Sequence, residues 1–109
     1  MLVVKAIARV AQAVVLSVLF ASSGAAAAEF EIAIAKMKFG PAPAELKVGD
    51  VIVWQNDDMF RHTATARDGS FDVDLPPKTE VRMTISKAGV ADYYCRFHPA
   101  MVGKLDVRR

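Results

Sequence analysis

Near the end of a chain of 109 residues stands the segment Cys95-Arg96-Phe97-His98-Pro99-Ala100-Met101. It carries a thiol, an imidazole and a thioether at three-residue spacing, in one loop after a predicted strand. Taken singly, each group has a structural explanation, because cysteine and methionine are common in protein cores and most histidines bind no metal. Three metal-binding groups in one loop favour a metal site instead.

The chain contains only one other histidine, at the start of a different predicted strand. This residue, His62, lies 33 positions before Cys95. Two imidazoles, a thiolate and a weakly bound thioether are the ligand set of a blue-copper electron-transfer site. Sulfur favours Cu(I), imidazole binds both oxidation states, and a constrained geometry keeps the two states similar in shape. The residues therefore predict a site for one copper ion per chain.

Outward from this loop, short apolar runs are separated by turn residues. Phe30, Ile32 and Ile34 alternate with smaller or polar residues, which is the period-two pattern of a half-buried strand. About eight such runs can be distinguished, at residues 30–35, 45–48, 51–54, 62–66, 71–73, 80–85, 93–95 and 104–107. No segment between them has the pattern of a helix. The sequence therefore predicts one all-β domain, either a Greek-key β-sandwich or a small barrel.

The first 28 residues have the pattern of an export signal. Two basic residues precede an apolar run from Val10 to Phe20, and small residues follow as far as Ala28. This pattern predicts a cleavable signal peptide at residues 1–28, a mature domain at residues 29–109, and a periplasmic location. An uncleaved membrane anchor is the alternative, but the polar residues within the segment make it a poor membrane-spanning helix.

The charge balance of the predicted mature domain excludes some partners. The full chain has 14 basic and 12 acidic residues, and loss of the signal peptide removes Lys5 and Arg9 but no acidic residue. The remaining domain is formally neutral, so it lacks the excess positive charge on which nucleic-acid binding depends. A single cysteine excludes an internal disulfide. We expect a monomer with no nucleic-acid partner and no stable membrane association.

The ligand loop resembles that of the cupredoxins, which are small blue-copper proteins. Its pattern is Cys-x2-His-x2-Met with Pro99 directly after the histidine, and this short loop is most similar to the amicyanin type. Two flanking segments also resemble that family: Lys47-Val48-Gly49-Asp50-Val51 leading into Val53-Trp54-Gln55-Asn56-Asp57-Asp58, and Met101-Val102-Gly103-Lys104-Leu105. The resemblance runs from about Phe30 to Val107 and implies a cupredoxin-like Greek-key β-sandwich.

The resemblance also implies a role for each ligand. His62, Cys95 and His98 are implied to be equatorial ligands of a type-1 copper ion, and Met101 is implied to be the axial ligand. We expect His98 to stand at the domain surface. Apolar side chains are expected around it: Phe97, Pro99, Ala100, Met59 and Phe60. Such a patch permits the weak, quickly dissociating contacts that suit electron transfer.

The chain departs from the family pattern at two places. Thr63 follows the first histidine, where many cupredoxins have an asparagine that braces the ligand loop. We expect the threonine hydroxyl to replace part of that hydrogen bonding. Arg96 and Phe97 stand where amicyanin-type loops have threonine and proline, which bears on the partner and the redox potential but not on the ligand set.

The leading hypothesis is a periplasmic electron carrier that shuttles single electrons between redox proteins through Cu(I) and Cu(II). The resemblance implies a quinoprotein amine dehydrogenase as donor and a c-type cytochrome as acceptor. The alternative is copper storage or delivery through the same four ligands. An immunoglobulin-like adhesion domain, suggested by Tyr93 two residues before Cys95, lacks the second cysteine of that fold. An enzyme is not expected, because four protein ligands leave no open position for a substrate.

The remaining methionines and the paired aspartates are not expected to bind metal. Met37 and Met83 are predicted to pack against the core, and Met59 to lie at the surface or rim. Asp57 and Asp58 are adjacent carboxylates with no nucleophile or acid partner nearby in the sequence. They predict a solvated loop.

Overall fold

Alternating apolar and polar residues form nine β-strands in the computed structural model, which describes residues 27–109. The strands are β1 (Glu29–Ala35), β2 (Lys38–Phe39), β3 (Leu46–Lys47), β4 (Val51–Asn56), β5 (His62–Ala66), β6 (Asp72–Leu75), β7 (Glu80–Thr84), β8 (Gly89–Tyr94) and β9 (Val102–Arg108). Within this described range there is no helix, so the all-β prediction is confirmed.

The strands form the two sheets of the predicted Greek-key β-sandwich. One sheet has the order β2-β1-β4-β7 and the other has the order β3-β9-β8-β5-β6. Both sheets are mixed, because β1 runs parallel to β4 and β3 runs parallel to β9. In the larger sheet β5 pairs with β8. This pairing brings the strand that begins at His62 beside the strand that leads into Cys95, although the two residues are far apart in sequence.

Eight of the nine strands match the runs predicted from the sequence, and the exception is β2. It pairs with β1 through a tight turn at Lys36 and Met37, whose φ angles are 51° and 61°. Two consecutive positive φ angles favour glycine or asparagine, so these residues carry no turn signal. The carboxylate of Asp58 accepts hydrogen bonds from the N–H groups of Lys36 and Met37 at 2.7 and 3.0 Å. A residue distant in sequence thus stabilises the turn.

An aromatic cluster fills the space between the sheets. Trp54 is fully buried and lies edge-on to Tyr93, with ring centroids 5.2 Å apart. Phe39 lies edge-on to Tyr93 at 4.8 Å, and Phe71 completes the cluster. Edge-to-face pairs contribute about 0.5–1.5 kcal/mol each beyond the burial of apolar area. Because Tyr93 is two residues before Cys95, this packing fixes the end of β8 that leads into the predicted ligand loop.

Tyr93 also makes a close cross-strand contact with Gly103 on β9. The two residues are directly paired, and a Cβ atom added at Gly103 would overlap the Tyr93 ring. Glycine is therefore required at this position by packing. Burial raises the pKa of Tyr93 to about 12. Among the described residues, the Tyr93 hydroxyl and Trp54 Nε1 have no hydrogen-bond partner.

The methionines predicted to pack do so. Met37 and Met83 are partly buried and contact the hydrophobic core. Met59 is 80% exposed, as predicted for a surface or rim residue.

The predicted signal peptide covers residues 1–28, of which residues 1–26 lie outside the described part of the chain. Its boundary stays a prediction, and β1 begins at Glu29. In the part that is described, no helix has the length and apolar character needed to cross a membrane.

Candidate metal centre

Three of the four predicted ligands converge at one end of the sandwich. Cys95 Sγ lies 3.7 Å from His62 Nδ1 and 3.8 Å from His98 Nδ1. The three side chains offer donor atoms that all lie within 4.8 Å of one another. His62 and Cys95 are buried, whereas His98 is partly exposed. The structure therefore brings one strand residue and two residues of a distant loop into one cluster.

Backbone hydrogen bonds hold the loop between β8 and β9 in a tight shape. The Cys95 N–H donates to the Met101 carbonyl at 3.1 Å, and the Met101 N–H donates to the His98 carbonyl at 2.8 Å. The His98 N–H donates back to the Cys95 carbonyl at 3.3 Å. The three-residue spacing in the sequence therefore corresponds to two successive turns, one from Cys95 to His98 and one from His98 to Met101, each closed by a backbone hydrogen bond. Met101 is buried at the end of the loop, and its role as the axial ligand stays a prediction.

The orientation of His62 is set by a carboxylate on the side away from the cluster. Its Nε2 lies 2.8 Å from Asp58 Oδ2, and the imidazole is fully buried. Since a carboxylate accepts a hydrogen bond, this contact places the ring proton on Nε2 and leaves the Nδ1 lone pair facing Cys95. Metal-binding histidines commonly have such a partner, which fixes the tautomer and the ring orientation.

The prediction that Asp58 belongs to a solvated loop is wrong, because its carboxylate is mostly buried and contacts His62. Burial alone would raise the pKa of Asp58. Hydrogen bonds from the Met37 N–H, the His62 ring and the Lys36 N–H together outweigh this effect, so the pKa lies below its ordinary value. The carboxylate therefore stays charged while it orients His62. The sequence did not reveal this role, because a residue four positions before a histidine within a loop has no characteristic pattern. Asp57 has no comparable contact with the cluster.

The loop that carries Asp58 is itself fixed by a buried amide. Asn56 Nδ2 donates to the carbonyls of Phe60 and Leu75 at 2.8 and 3.0 Å. Asn56 Oδ1 accepts the Asp58 N–H at 3.0 Å. The side chain of a residue at the end of β4 thus sets the path of the chain toward His62.

Thr63 contacts the ligand loop through both its backbone and its side chain. Its N–H points at Cys95 Sγ with an N···S distance of 3.4 Å. Its hydroxyl oxygen accepts the Arg96 N–H at 2.9 Å. The expected hydrogen bond between the threonine hydroxyl and the ligand loop is therefore present, with the hydroxyl oxygen as the acceptor.

Exposed apolar side chains lie beside His98, as predicted, and the guanidinium groups of Arg61 and Arg96 lie over the ring of one of them, Phe97. The exposed side chains of Met59, Phe60 and Phe97 lie at this end, and the Phe60 ring is edge-on to His98 at 6.4 Å. A groove beside them is lined by Met37, Lys38, Phe97, His98, Pro99, Ala100 and Met101. We call the surface formed by Met59, Phe60, Phe97, Pro99 and Ala100 the apolar patch.

The distance of each histidine nitrogen from the Cys95 sulfur fits binding to one metal ion. Bonds of about 2.3 Å to sulfur and about 2.0–2.1 Å to nitrogen, set at 120°, place the donors about 3.8 Å apart. The observed separations from Cys95 Sγ are 3.7 and 3.8 Å. Structural zinc takes four strong ligands in a tetrahedron, whereas the described residues supply a cluster of three here. A trigonal set of one thiolate and two imidazoles is the geometry of blue copper.

Comparison with known proteins agrees with this geometry. A family model described as a cupredoxin-like domain matches residues 8–107. Amicyanin from Paracoccus denitrificans is 30% identical over 81% of this chain and 72% of its own length. Amicyanin-alpha from Methylorubrum extorquens is 32% identical over 76% of this chain and 75% of its own length.

Solved structures give the same result. An amicyanin variant in its Cu(I) form matches with a TM-score of 0.63 and 29% identity, covering 73% of this chain and 82% of that chain. An oxidised amicyanin variant matches with a TM-score of 0.61 and 30% identity over the same shares of the two chains. Because the family model spans most of the sequence and the fold agrees, this chain belongs to the cupredoxin family, with amicyanins among its relatives.

Proposed function

We propose that this protein is a type-1 copper electron carrier that holds one copper ion per chain. His62, Cys95 and His98 are the equatorial ligands and Met101 is the axial ligand. The observation that carries the proposal is the placement of Cys95 Sγ at 3.7 and 3.8 Å from the Nδ1 atoms of the two histidines. Copper bound there supplies a one-electron couple between Cu(I) and Cu(II).

The protein contributes a fixed set of donors that needs little rearrangement. His62 is held by Asp58, and the thiolate of Cys95 accepts the Thr63 N–H. Both of these ligands are buried, so water has no access from that side. Four protein ligands leave no open position for a substrate, which supports a carrier rather than an enzyme.

Electrons enter and leave through His98, the one histidine of the cluster that is partly exposed. The apolar patch around it supports brief contacts with redox proteins, because small apolar surfaces suit weak and transient complexes. A quinoprotein amine dehydrogenase as donor and a c-type cytochrome as acceptor are proposed from the resemblance to amicyanin-type proteins.

We also propose that residues 1–28 are removed as a signal peptide and that residues 29–109 act in the periplasm as a monomer. The basic start, the apolar run and the small residues before position 28 support this division. The neutral charge of the remaining domain argues against nucleic-acid binding.

A measurement of electron self-exchange tests the proposal against copper storage or delivery. The copper-loaded protein is prepared as a mixture of its Cu(I) and Cu(II) forms, and the exchange rate is taken from NMR line widths. A second sample is challenged with a copper chelator. A carrier exchanges electrons rapidly between its two forms and loses copper to the chelator far more slowly than it exchanges electrons. Slow self-exchange combined with rapid loss of copper to the chelator would instead show a storage or delivery protein.

A further inference from the structure

Four residues form a chain of hydrogen bonds from the protein surface to the ligand loop. The Arg96 N–H donates to Thr63 Oγ1 at 2.9 Å, and Thr63 Oγ1 lies 2.9 Å from Thr65 Oγ1. The Thr65 hydroxyl donates to Asp72 Oδ1 at 2.7 Å. We call this chain the hydroxyl relay. It begins at the peptide directly after Cys95 and ends at a carboxylate on β6.

The number of protons available fixes the direction of every hydrogen bond in the relay. A carboxylate accepts only, so the single proton of the Thr65 hydroxyl is given to Asp72. Thr65 has no second proton for Thr63, and the Thr63 hydroxyl must therefore donate to Thr65. The lone pairs of Thr63 Oγ1 are then directed to the Arg96 N–H. Hydrogen bonds aligned in one direction polarise one another, and the charge of Asp72 strengthens the whole chain.

The relay connects an exposed group to a buried one. The side chain of Asp72 is 54% exposed, whereas Thr63 is fully buried. Thr63 holds the loop at two points, because its hydroxyl accepts the Arg96 N–H and its own N–H points at Cys95 Sγ. The orientation of Thr63 therefore determines both the path of the loop and the hydrogen bond to the thiolate.

The side chain of Arg96 closes the relay into a ring. Its Nε donates to the same Asp72 Oδ1 at 3.3 Å, and its guanidinium lies over the Phe97 ring, 5.7 Å from the centroid. Asp72 therefore holds Arg96 in two ways. It binds the Arg96 side chain directly, and it acts on the Arg96 backbone N–H through the two threonine hydroxyls.

We propose that Asp72 is a positioning residue for the metal site, which acts through Thr65 and Thr63 to fix the ligand loop and the hydrogen bond to Cys95 Sγ. The consequence for copper rests on the proposed function, but the relay itself can be tested without metal.

Asp74 offers a matched control on the same strand. It is also half exposed and bound to an arginine, since Arg61 Nε and Nη2 donate to its two carboxylate oxygens. The Arg61 guanidinium likewise lies over the Phe97 ring, at 5.6 Å. The Asp74 carboxylate is bonded to Arg61 and also interacts with the Leu75 N–H and with the charge of Arg96, but its hydrogen bonds do not include the backbone of the ligand loop. Substitution of Asp72 or Asp74 therefore removes the same charge, but only the first breaks the relay.

The first test is amide hydrogen exchange in the metal-free protein, followed by NMR. We expect Asp72→Ala and Thr65→Val to speed exchange of the Arg96 N–H about tenfold, because each loosens a hydrogen bond that protects it. Asp74→Ala and Thr65→Ser should leave this rate unchanged. The first keeps the Asp72 carboxylate, and the second keeps a hydroxyl at position 65. The Ala91 N–H in the middle of β8 should keep its rate in all four variants, which shows that the fold is intact. Unchanged Arg96 exchange in both Asp72→Ala and Thr65→Val would overturn the proposal.

The second test is the reduction potential of the copper-loaded protein. Hydrogen bonding to the cysteine sulfur tunes this potential, and an N–H donor to the thiolate favours Cu(I). We expect the reduction potential of Thr65→Val to be lower than that of the parent, and that of Thr65→Ser to equal the parent value. The potential of Asp72→Ala should be lower than that of Asp74→Ala. Equal potentials in each pair would contradict the role of Asp72 in positioning the thiolate. A parent protein that forms no blue copper site would contradict the proposed function, while the exchange experiment would still decide the relay.

Discussion

The Nε2 atom of His62 lies 2.8 Å from Oδ2 of Asp58, four residues earlier in the chain. The same carboxylate also holds the turn between β1 and β2 through the N–H groups of Lys36 and Met37. One partly buried charge therefore links the orientation of a proposed ligand to a hairpin that borders the groove beside His98. This relationship makes Asp58 the first residue to test outside the ligand set.

Asp58→Asn should weaken copper binding by about 10–100-fold, the usual effect of losing a carboxylate that orients a metal-bound histidine. An asparagine can present its NH2 group to His62 Nε2 and thereby favour the wrong tautomer. Competition with a copper chelator measures the affinity. Asp57→Asn is the matched control, because the neighbouring aspartate does not contact the histidine, and it should bind as tightly as the parent. Equal affinities for the two variants would show that Asp58 does not orient the ligand.

Acid should weaken the metal-free protein partly through Asp68, at the opposite end of β5. Hydrogen bonds from Ser70 and Lys87 lower the pKa of Asp68 from 3.8 to about 2. Since the folded pKa lies below the unfolded value, this contribution to stability is full above about pH 4 and is lost as the pH falls toward 2. The difference in Tm between the parent and Asp68→Asn should therefore shrink between pH 5 and pH 2. A difference that stays constant over this range would contradict the assignment.

Gly103→Ala should destabilise the fold by about 1–3 kcal/mol, the usual cost of forcing extra volume into a packed site. The added methyl group would overlap the ring of Tyr93, which is buried and packs against Phe39 and Trp54. Urea denaturation measures the free energy of unfolding. The neighbouring Val102 is exposed, and Val102→Ala should change this free energy by less than about 0.5 kcal/mol. A Gly103→Ala protein as stable as the parent would show that Tyr93 can be displaced at little cost.

Met59→Lys should slow electron self-exchange at least about tenfold, because two copies that meet through the apolar patch would then bring like charges together. Met59 is 80% exposed and lies outside the ligand loop, so the absorption spectrum of the copper site should not change. Val90→Lys is the control, since Val90 is 57% exposed near the other end of β8 and the substitution adds the same net charge. If both variants slow exchange equally, the apolar patch is not the contact surface.

The alternation of residue types was sufficient to predict most of the sandwich, since a strand with one buried face has a period-two pattern wherever it occurs. The turn at Lys36 and Met37 was not predictable, because it depends on a carboxylate 22 and 21 residues away in the chain rather than on glycine or asparagine. Local sequence does not encode such a contact.

The candidate site shows the same division. Cys95, His98 and Met101 could be grouped from their spacing in one loop, and His62 could be added because it is the only other histidine. The relay from Asp72 could not be foreseen, because it depends on the pairing of β5 with β6, in which Thr65 lies opposite Asp72. A residue such as Asp72, which affects the site only through Thr65 and Thr63, can be identified only from the register of the strands. That register is known only once the fold is known.

The proposed function depends on Cys95 as a ligand of type-1 copper. The most direct test is the absorption spectrum of the purified protein before and after one equivalent of Cu(II). We predict an intense blue band from thiolate-to-copper charge transfer, which ascorbate bleaches and which Cys95→Ala lacks. A colourless product in which the thiol can still be titrated would show that Cys95 does not bind copper, and it would contradict the electron-transfer function while leaving the fold unchanged.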